Sequence, residues 1–83
     1  MKVHVRYFAS VREAVGLPAE VVETSARDLA ALRAELAARG AAYAGALAPG
    51  KAVRMALDQV MSDESAPLAE GAEVAFFPPV TGG

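Results

Sequence analysis

The N-terminal segment VHVRYF alternates apolar and polar positions. Val3, Val5 and Tyr7 share one side of an extended chain, and His4 falls on the other side. This period of two predicts a first β-strand with one buried face. We interpret His4 as a half-exposed strand residue rather than a catalytic group.

The next segments predict a short helix and a second strand. In ASVREAVG, Ser10 and Glu13 have the spacing of a capping box, and Gly16 marks a stop, so this helix has two turns at most. Leu17 and Pro18 then lead into AEVVET, which predicts the second strand.

The strongest helical pattern lies in SARDLAALRAELAARG. Leucines recur there at intervals of three and four residues, which places them on one face of a helix that needs a sheet to cover. They are Leu29, Leu32 and Leu36. Glu35 can pair with Arg39 one turn later, and Gly40 is expected to end the helix.

An alanine-rich stretch follows over residues 41–52. Alanine favours helix while glycine and proline interrupt it, so we expect a short helical turn and then a loop. After it, AVRMALDQVMS predicts two short strands around Asp58 and Gln59. The expected inward face of this hairpin consists of Val53, Met55 and Leu57.

The last predicted strand, in ESAPLAEGAEVAFF, follows a turn at Glu70 and Gly71. Val74 and Phe76 share one of its faces, and Phe77 points to the other, where it is either exposed or covered by a loop.

This order of elements predicts an α+β fold. Two strands before the main helix and two or three after it match the β-grasp, or ubiquitin-like, arrangement: a mixed sheet of four to five strands covered by one main helix. We expect residues 1–77 to form this domain and residues 78–83 to form an extended C-terminal tail.

Composition excludes several classes of function. The 83 residues carry a net charge of -2 without a run of Lys or Arg, so no nucleic-acid partner is expected. No stretch is apolar enough for a membrane span or a signal peptide, so we expect no membrane partner and a cytoplasmic location. The lack of cysteine excludes disulfides and thiol chemistry, and with a single histidine no metal site is expected. The acidic segment DQVMSDES lacks the spacing of a calcium loop.

The chain ends in FFPPVTGG. Pro78 and Pro79 donate no backbone hydrogen bond, so a strand that ends at Phe77 cannot continue into them. The six residues from Pro78 onward could extend roughly 20 Å from the sheet. The final two residues have no side chains, which suits entry into a narrow cleft of another protein.

The order of elements, the opening VRYFASVREAVG and the ending EGAEVAFFPPVTGG resemble the small subunits of molybdopterin synthase, a family of ubiquitin-like sulfur carriers. The likeness covers essentially the whole chain, and FFPPVTGG is its most specific part. It implies that an ATP-dependent partner enzyme adenylates the carboxylate of Gly83, and that sulfur then displaces AMP to give a thiocarboxylate. The tail residues implied to enter a channel of the large subunit are Pro78, Pro79, Val80, Thr81 and Gly82.

The resemblance also implies what the carrier does not do. Its sulfur goes to cyclic pyranopterin monophosphate to build the dithiolene of the molybdenum cofactor, and the catalytic residues belong to the large subunit of a heterotetramer. The carrier binds no cofactor, and ATP is used by the activating enzyme. The absence of cysteine agrees with this, because only the C-terminus remains to hold the sulfur.

Three positions match the family's binding face for the large subunit: Arg12 in the first helix, Met61 after the central hairpin, and Phe77. Arg12 could equally be a solvated helix charge, and Met61 could belong to the core. Phe77 has the stronger case, because strand alternation alone places it opposite Phe76, and an exposed aromatic side chain is a typical interface anchor.

Three other functions stay open at this point. A sulfur carrier for thiamine synthesis or tRNA thiolation would share the fold and the Gly-Gly end, although FFPPVTGG and the chain length favour the synthase. A ubiquitin-like modifier would join Gly83 to lysines of target proteins through the same activated carboxylate. A plain β-grasp interaction module would need no free tail.

Overall fold

The computed structural model describes residues 1–79 and shows a five-stranded mixed sheet with three helices on one side. The strand order is β2-β1-β5-β3-β4; β1 and β5 are parallel, and the other neighbours are antiparallel. This confirms the predicted β-grasp fold. The elements are β1 (Lys2–Tyr7), α1 (Ala9–Val15), β2 (Ala19–Glu23), α2 (Leu29–Ala37), α3 (Ala41–Leu47), β3 (Arg54–Leu57), β4 (Val60–Ser62) and β5 (Glu73–Phe77).

The core lies between the sheet and the helices, where the predicted apolar positions meet. The alternating residues of β1 and β5 are buried, and so are the three leucines of α2. Tyr7 stacks on Phe76 across the parallel pair, with ring centroids 6.2 Å apart. The buried core positions predicted from the sequence are Val3, Val5, Tyr7, Leu29, Leu32, Leu36, Met55, Val74 and Phe76.

The first helix begins differently from the prediction. Its N-cap is Phe8, which stays extended at φ -125° and ψ 151° and makes no side-chain cap, so the capping box of Ser10 and Glu13 is wrong. The Phe8 carbonyl accepts from the N–H groups of Val11 and Arg12, which starts the helix before Ser10 could cap it. The predicted stop is confirmed: Gly16 adopts φ 96° and its N–H donates to the Arg12 carbonyl.

The main helix is shorter than expected. Asp28 caps its N-terminus by accepting from the N–H of Ala31 at 2.8 Å, and the helix ends at Ala37. Arg39 therefore lies beyond the last turn, and the predicted pair of Glu35 with Arg39 does not form. Glu35 accepts instead from the Thr24 hydroxyl.

Gly40 does not end this helix; it is the N-cap of α3. The predicted helical turn in the alanine-rich stretch is thus a seven-residue helix, which packs against α1 and α2 and buries Leu47. Together α1 and α3 extend the layer that the sequence assigned to one main helix. Among the helices of residues 1–79, none has the length and apolarity that crossing a bilayer requires.

Candidate functional site

The side of the sheet away from the helices is the candidate partner-binding surface. On β5, Val74 and Phe76 point into the core, so Ala75 and Phe77 belong to the opposite side. The register continues this surface across the sheet: Ala75 pairs with Ala56 of β3, and Ala56 pairs with Met61 of β4. We call the set Phe8, Ala56, Met61, Ala75 and Phe77 the outer patch.

Met61 and Phe77, two of the predicted contact residues, are both in the outer patch. Met61 is 56% exposed, which excludes the interpretation of Met61 as a core residue. Phe77 is half-buried and faces away from Phe76, as strand alternation predicted. Exposed apolar side chains that adjoin one another on a small domain are typical of an interaction surface.

Phe8 completes the patch, and the sequence analysis did not single it out. Its N–H donates to the Phe76 carbonyl at 3.1 Å, so it lies beside the end of β5, and its side chain is 37% exposed. The signal was present in the sequence. Val3, Val5 and Tyr7 are the inward positions of the first strand, so Phe8 is an aromatic residue at a position where the pattern calls for a polar one.

Arg6 and Arg54 lie beside this apolar surface. The Arg6 guanidinium lies 5.1 Å from the centroid of the Phe8 ring, a cation–π arrangement, and is 3.9 Å from a carboxylate oxygen of Glu73. Arg54 is exposed and pairs in register with Phe77. The predicted contact residue Arg12 is exposed on α1, and its N–H donates to the Phe8 carbonyl. Positive charge from Arg6 and Arg54 thus borders the patch together with negative charge from Glu73 on the same face, so the border is mixed in sign.

The β3–β4 hairpin that carries Met61 is held by its turn. Asp58 and Gln59 adopt φ 50° and 68°, the positive values of a type I′ turn, whose twist matches that of the two strands. The Asp58 carboxylate accepts from the N–H of Glu73 at 2.9 Å, and the Asp58 N–H donates to the Glu73 carbonyl at 2.8 Å. These bonds fix the hairpin tip to β5.

The other end of the hairpin borders a shallow pocket with a volume of about 440 Å³. It is open to solvent and lies next to the outer patch, where a side chain of a partner could enter. Its walls are formed by Val53, Arg54, Met55, Met61, Ser62, Asp63 and Glu64.

A cluster of titratable side chains lies elsewhere, between β1, β2 and the helices. The hydroxyls of Tyr7 and Tyr43 each donate to Glu20 Oε2 at 2.8 Å, and Arg39 donates to Glu20 Oε1 at 2.8 Å. Partial burial opposes ionisation of Glu20, but the hydrogen bonds from Arg39, Tyr43 and Tyr7 outweigh it and lower its pKa. Burial is the main cause that raises the pKa of Tyr7, and the hydrogen bond to Glu20 raises this pKa further. An ionised Glu20 and a neutral Tyr7 make this cluster a structural network rather than an acid–base pair.

Residues 1–79 contain no group of three or more histidine, aspartate and glutamate side chains placed to hold a metal ion. β5 ends at Phe77, and the two prolines that follow are half-buried and outside any strand. The predicted reactive group, the carboxylate of Gly83, lies outside the described residues, as do Val80, Thr81 and Gly82. The division at residue 77 and the roles assigned to Arg12, Met61 and Phe77 stay predictions.

Comparison with known proteins gives consistent matches. The model of the ThiS family matches residues 5–83. A molybdopterin synthase sulfur carrier subunit from Escherichia coli is 44% identical over 81 residues, which cover 98% of this chain and 99% of that protein. The subunit of the same name from Haemophilus influenzae is 39% identical over 80 residues, which cover 96% and 98%.

A solved structure agrees with these sequence matches. It is a chain in the protein–protein complex of subunits 1 and 2 of molybdopterin-converting factor from Helicobacter pylori. That chain superposes with a TM-score of 0.70 at 30% identity, over 100% of both chains.

Proposed function

Because the chain belongs to the ThiS family, we propose that it is the sulfur carrier subunit of a molybdopterin synthase. The observation that carries the proposal is the 44% identity with a named subunit of that enzyme, over 98% of this chain. The outer patch adds support, because a carrier must present a docking surface to its partner, and this one begins where the tail begins. Phe77 is both the last residue of β5 and a member of the patch.

The proposed reaction takes place at the carboxylate of Gly83. A carboxylate oxygen attacks the α-phosphorus of ATP and releases pyrophosphate, which gives an acyl adenylate. A sulfide-level nucleophile then forms a C–S bond as AMP leaves, and Gly83 becomes a thiocarboxylate. Adenylation is needed because a carboxylate is a poor electrophile until its oxygen is part of a leaving group.

Sulfur delivery returns the carrier to its starting state. In the proposed step the thiocarboxylate sulfur forms a bond to a carbon of cyclic pyranopterin monophosphate while a carbon–oxygen bond at that carbon breaks, and the oxygen leaves with the phosphate or as water. Water then adds to the carbonyl carbon of Gly83, the acyl–sulfur bond breaks, and the carboxylate is regenerated. In each transfer the pterin carbon gains one sulfur in place of one oxygen, and the carrier gains one water oxygen in place of its sulfur.

Two protein partners follow from this scheme. The large subunit of the synthase would bind the outer patch and receive the tail, and it would supply the acid, base and positioning groups. A separate adenylating enzyme would hold ATP, so the carrier itself would bind no cofactor. We expect both encounters in the cytoplasm, where ATP is available.

The test is the intact mass of the protein recovered from its native cell, followed by sulfur transfer to the purified large subunit. Replacement of one oxygen by one sulfur at the C-terminus, lost on incubation with the large subunit and pterin precursor, is the expected result. A thiocarboxylate that the large subunit cannot discharge would point to a thiamine or tRNA pathway. Isopeptide-linked species without any thiocarboxylate would point to a protein modifier and would overturn the proposal.

A further inference from the structure

Arg33 of α2 is a buried charge, with only 6% of the residue exposed. Its guanidinium makes four hydrogen bonds: Nε to the Leu47 carbonyl at 2.7 Å, Nη2 to the carbonyls of Ala48 at 3.0 Å and Lys51 at 2.7 Å, and Nη1 to Glu64 Oε1 at 3.2 Å. A buried charge is strongly unfavourable unless such partners surround it. The four partners and the guanidinium therefore hold one another in a narrow range of positions.

The backbone around Ala48 leaves carbonyls at the end of α3 open to a side-chain donor, although the Ala48 carbonyl also accepts from the N–H of Lys51 at 3.0 Å. α3 ends at Leu47, and Ala48 leaves the helix at φ -57° and ψ 150°. Pro49 follows and has no N–H, so the usual closing bond from the residue after the cap is missing. Arg33 supplies donors to the last carbonyls of α3.

The segments that Arg33 joins are the two flanks of the β3–β4 hairpin. Lys51 lies three residues before β3 begins at Arg54, and Glu64 lies two residues after β4 ends at Ser62. The N-terminus of α2 reinforces the second flank, because the N–H of Ala30 donates to the Glu64 carbonyl at 2.9 Å. The open end of the hairpin is thus tied to α2, just as its turn is tied to β5 through Asp58.

We propose that Arg33 is a positioning residue for partner binding: it holds both flanks of the β3–β4 hairpin and so sets the place of Met61 in the outer patch. The proposal rests on the proposed function, since it takes the large subunit as the partner that binds the outer patch. Within residues 1–79, none of the hydrogen bonds of Arg33 goes to a residue of the outer patch. Its effect should therefore appear in affinity for the large subunit and not in the rate of sulfur transfer once the complex has formed.

The test measures the dissociation constant of each carrier variant with the purified large subunit, at a temperature where melting curves show every variant folded. Arg33→Met keeps much of the apolar stem and removes all donors, and we expect it to weaken binding about tenfold. Arg33→Lys keeps the charge, but its ammonium group cannot reach all four acceptors, so its affinity for the large subunit should be nearly as low as that of Arg33→Met. The single-turnover rate of sulfur transfer, measured at a saturating concentration of large subunit, should stay unchanged in both Arg33 variants.

The matched control is Arg39→Met, which also removes a guanidinium bound to a glutamate but in the network around Glu20, remote from the hairpin. It should lower stability without changing affinity. Met61→Ala provides the decisive comparison. If Arg33 acts through Met61, then Arg33→Met should weaken binding much less in a Met61→Ala background than in the natural chain.

The results separate this inference from the proposed function. Unchanged affinity of folded Arg33→Met would show that Arg33 serves stability alone, and an equal loss of affinity with and without Met61 would show that Arg33 does not act through Met61. Either result overturns this inference, while binding of the natural chain would leave the proposed function intact. If Arg33→Met does not fold, the same comparison with Arg33→Lys and Glu64→Gln decides the question. Failure of the natural chain to bind the large subunit would remove the proposed function and this inference together.

Discussion

Phe76 and Phe77 are neighbours in β5 and lie on opposite faces of the sheet. Phe76 is fully buried and stacks on Tyr7, whereas Phe77 is half-buried in the outer patch, in register with Arg54. One strand therefore separates a residue that stabilises the fold from a residue available to a partner.

This separation predicts opposite effects of two alanine substitutions. Phe76→Ala should lower the free energy of unfolding by about 3 to 5 kcal/mol, as truncation of a buried aromatic does. Phe77→Ala should weaken binding to the large subunit by about 2 kcal/mol or more and shift the melting temperature much less. Calorimetric titration and thermal melts of the two variants check this. Exchanged results would contradict the assignment of Phe77 to the binding surface.

Much of the fold was predictable because its sequence patterns are local. Alternation in β1 and β5 correctly placed Tyr7 and Phe76 in the core, and the leucine spacing identified α2. The hairpin was found for the same reason: two short strands adjoin Asp58 and Gln59, which form its turn.

Two incorrect predictions are local, the capping box of Ser10 and Glu13 and the helix end at Gly40. The others concern contacts between residues distant in the chain. Arg39 was assigned to Glu35 by helical spacing, but the helix ends before it, and Arg39 bonds to Glu20, 19 residues away. Arg33 reads in sequence as an ordinary helix charge. Its partners are mostly carbonyl groups, which every residue has, so no residue type marks them in advance. In the candidate site, Met61 and Phe77 were identified and Phe8 was missed, because Phe8 lies on the face of the first strand that the alternation assigns to polar residues.

The Glu20 network predicts a defined loss of stability in acid. Its folded-state pKa is lowered from the ordinary value of 4.5, so its stabilising contribution is complete above that value and disappears as the pH falls through the lower, folded-state pKa. Glu20→Gln should therefore be less stable than the natural protein at pH 7, and the difference should shrink toward pH 3. Urea unfolding of both proteins across this range isolates Glu20 from the other carboxylates. A difference that does not change with pH would mean that the ionised form of Glu20 is not what Arg39 stabilises.

A free C-terminus is the next requirement. One residue added after Gly83 moves the carboxylate beyond the position where the activating enzyme holds the α-phosphate of ATP, so adenylation should stop while the domain still folds. The matched control is the same residue added before Met1, which should leave adenylation unchanged. Pyrophosphate release with the activating enzyme measures the step. Normal sulfur loading of the C-terminally extended chain would contradict chemistry at Gly83.

The two terminal glycines predict a separation of reactivity from stability. If they pass through a narrow channel of the partner, a side chain at Gly82 or Gly83 meets the channel wall and displaces the acyl carbon. A shift near 1 Å can lower a rate roughly a hundredfold, because bound reactants depend on alignment. Gly82→Val and Gly83→Val should therefore reduce thiocarboxylate formation or sulfur transfer at least about tenfold. Neither should change the free energy of unfolding by more than about 0.5 kcal/mol, the usual limit for substitutions away from the folded core. Thr81→Ser is the control and should do little. Single-turnover transfer beside thermal melts decides between this and an inert tail: two valine variants with full activity would mean that nothing in the partner closes around the last two residues.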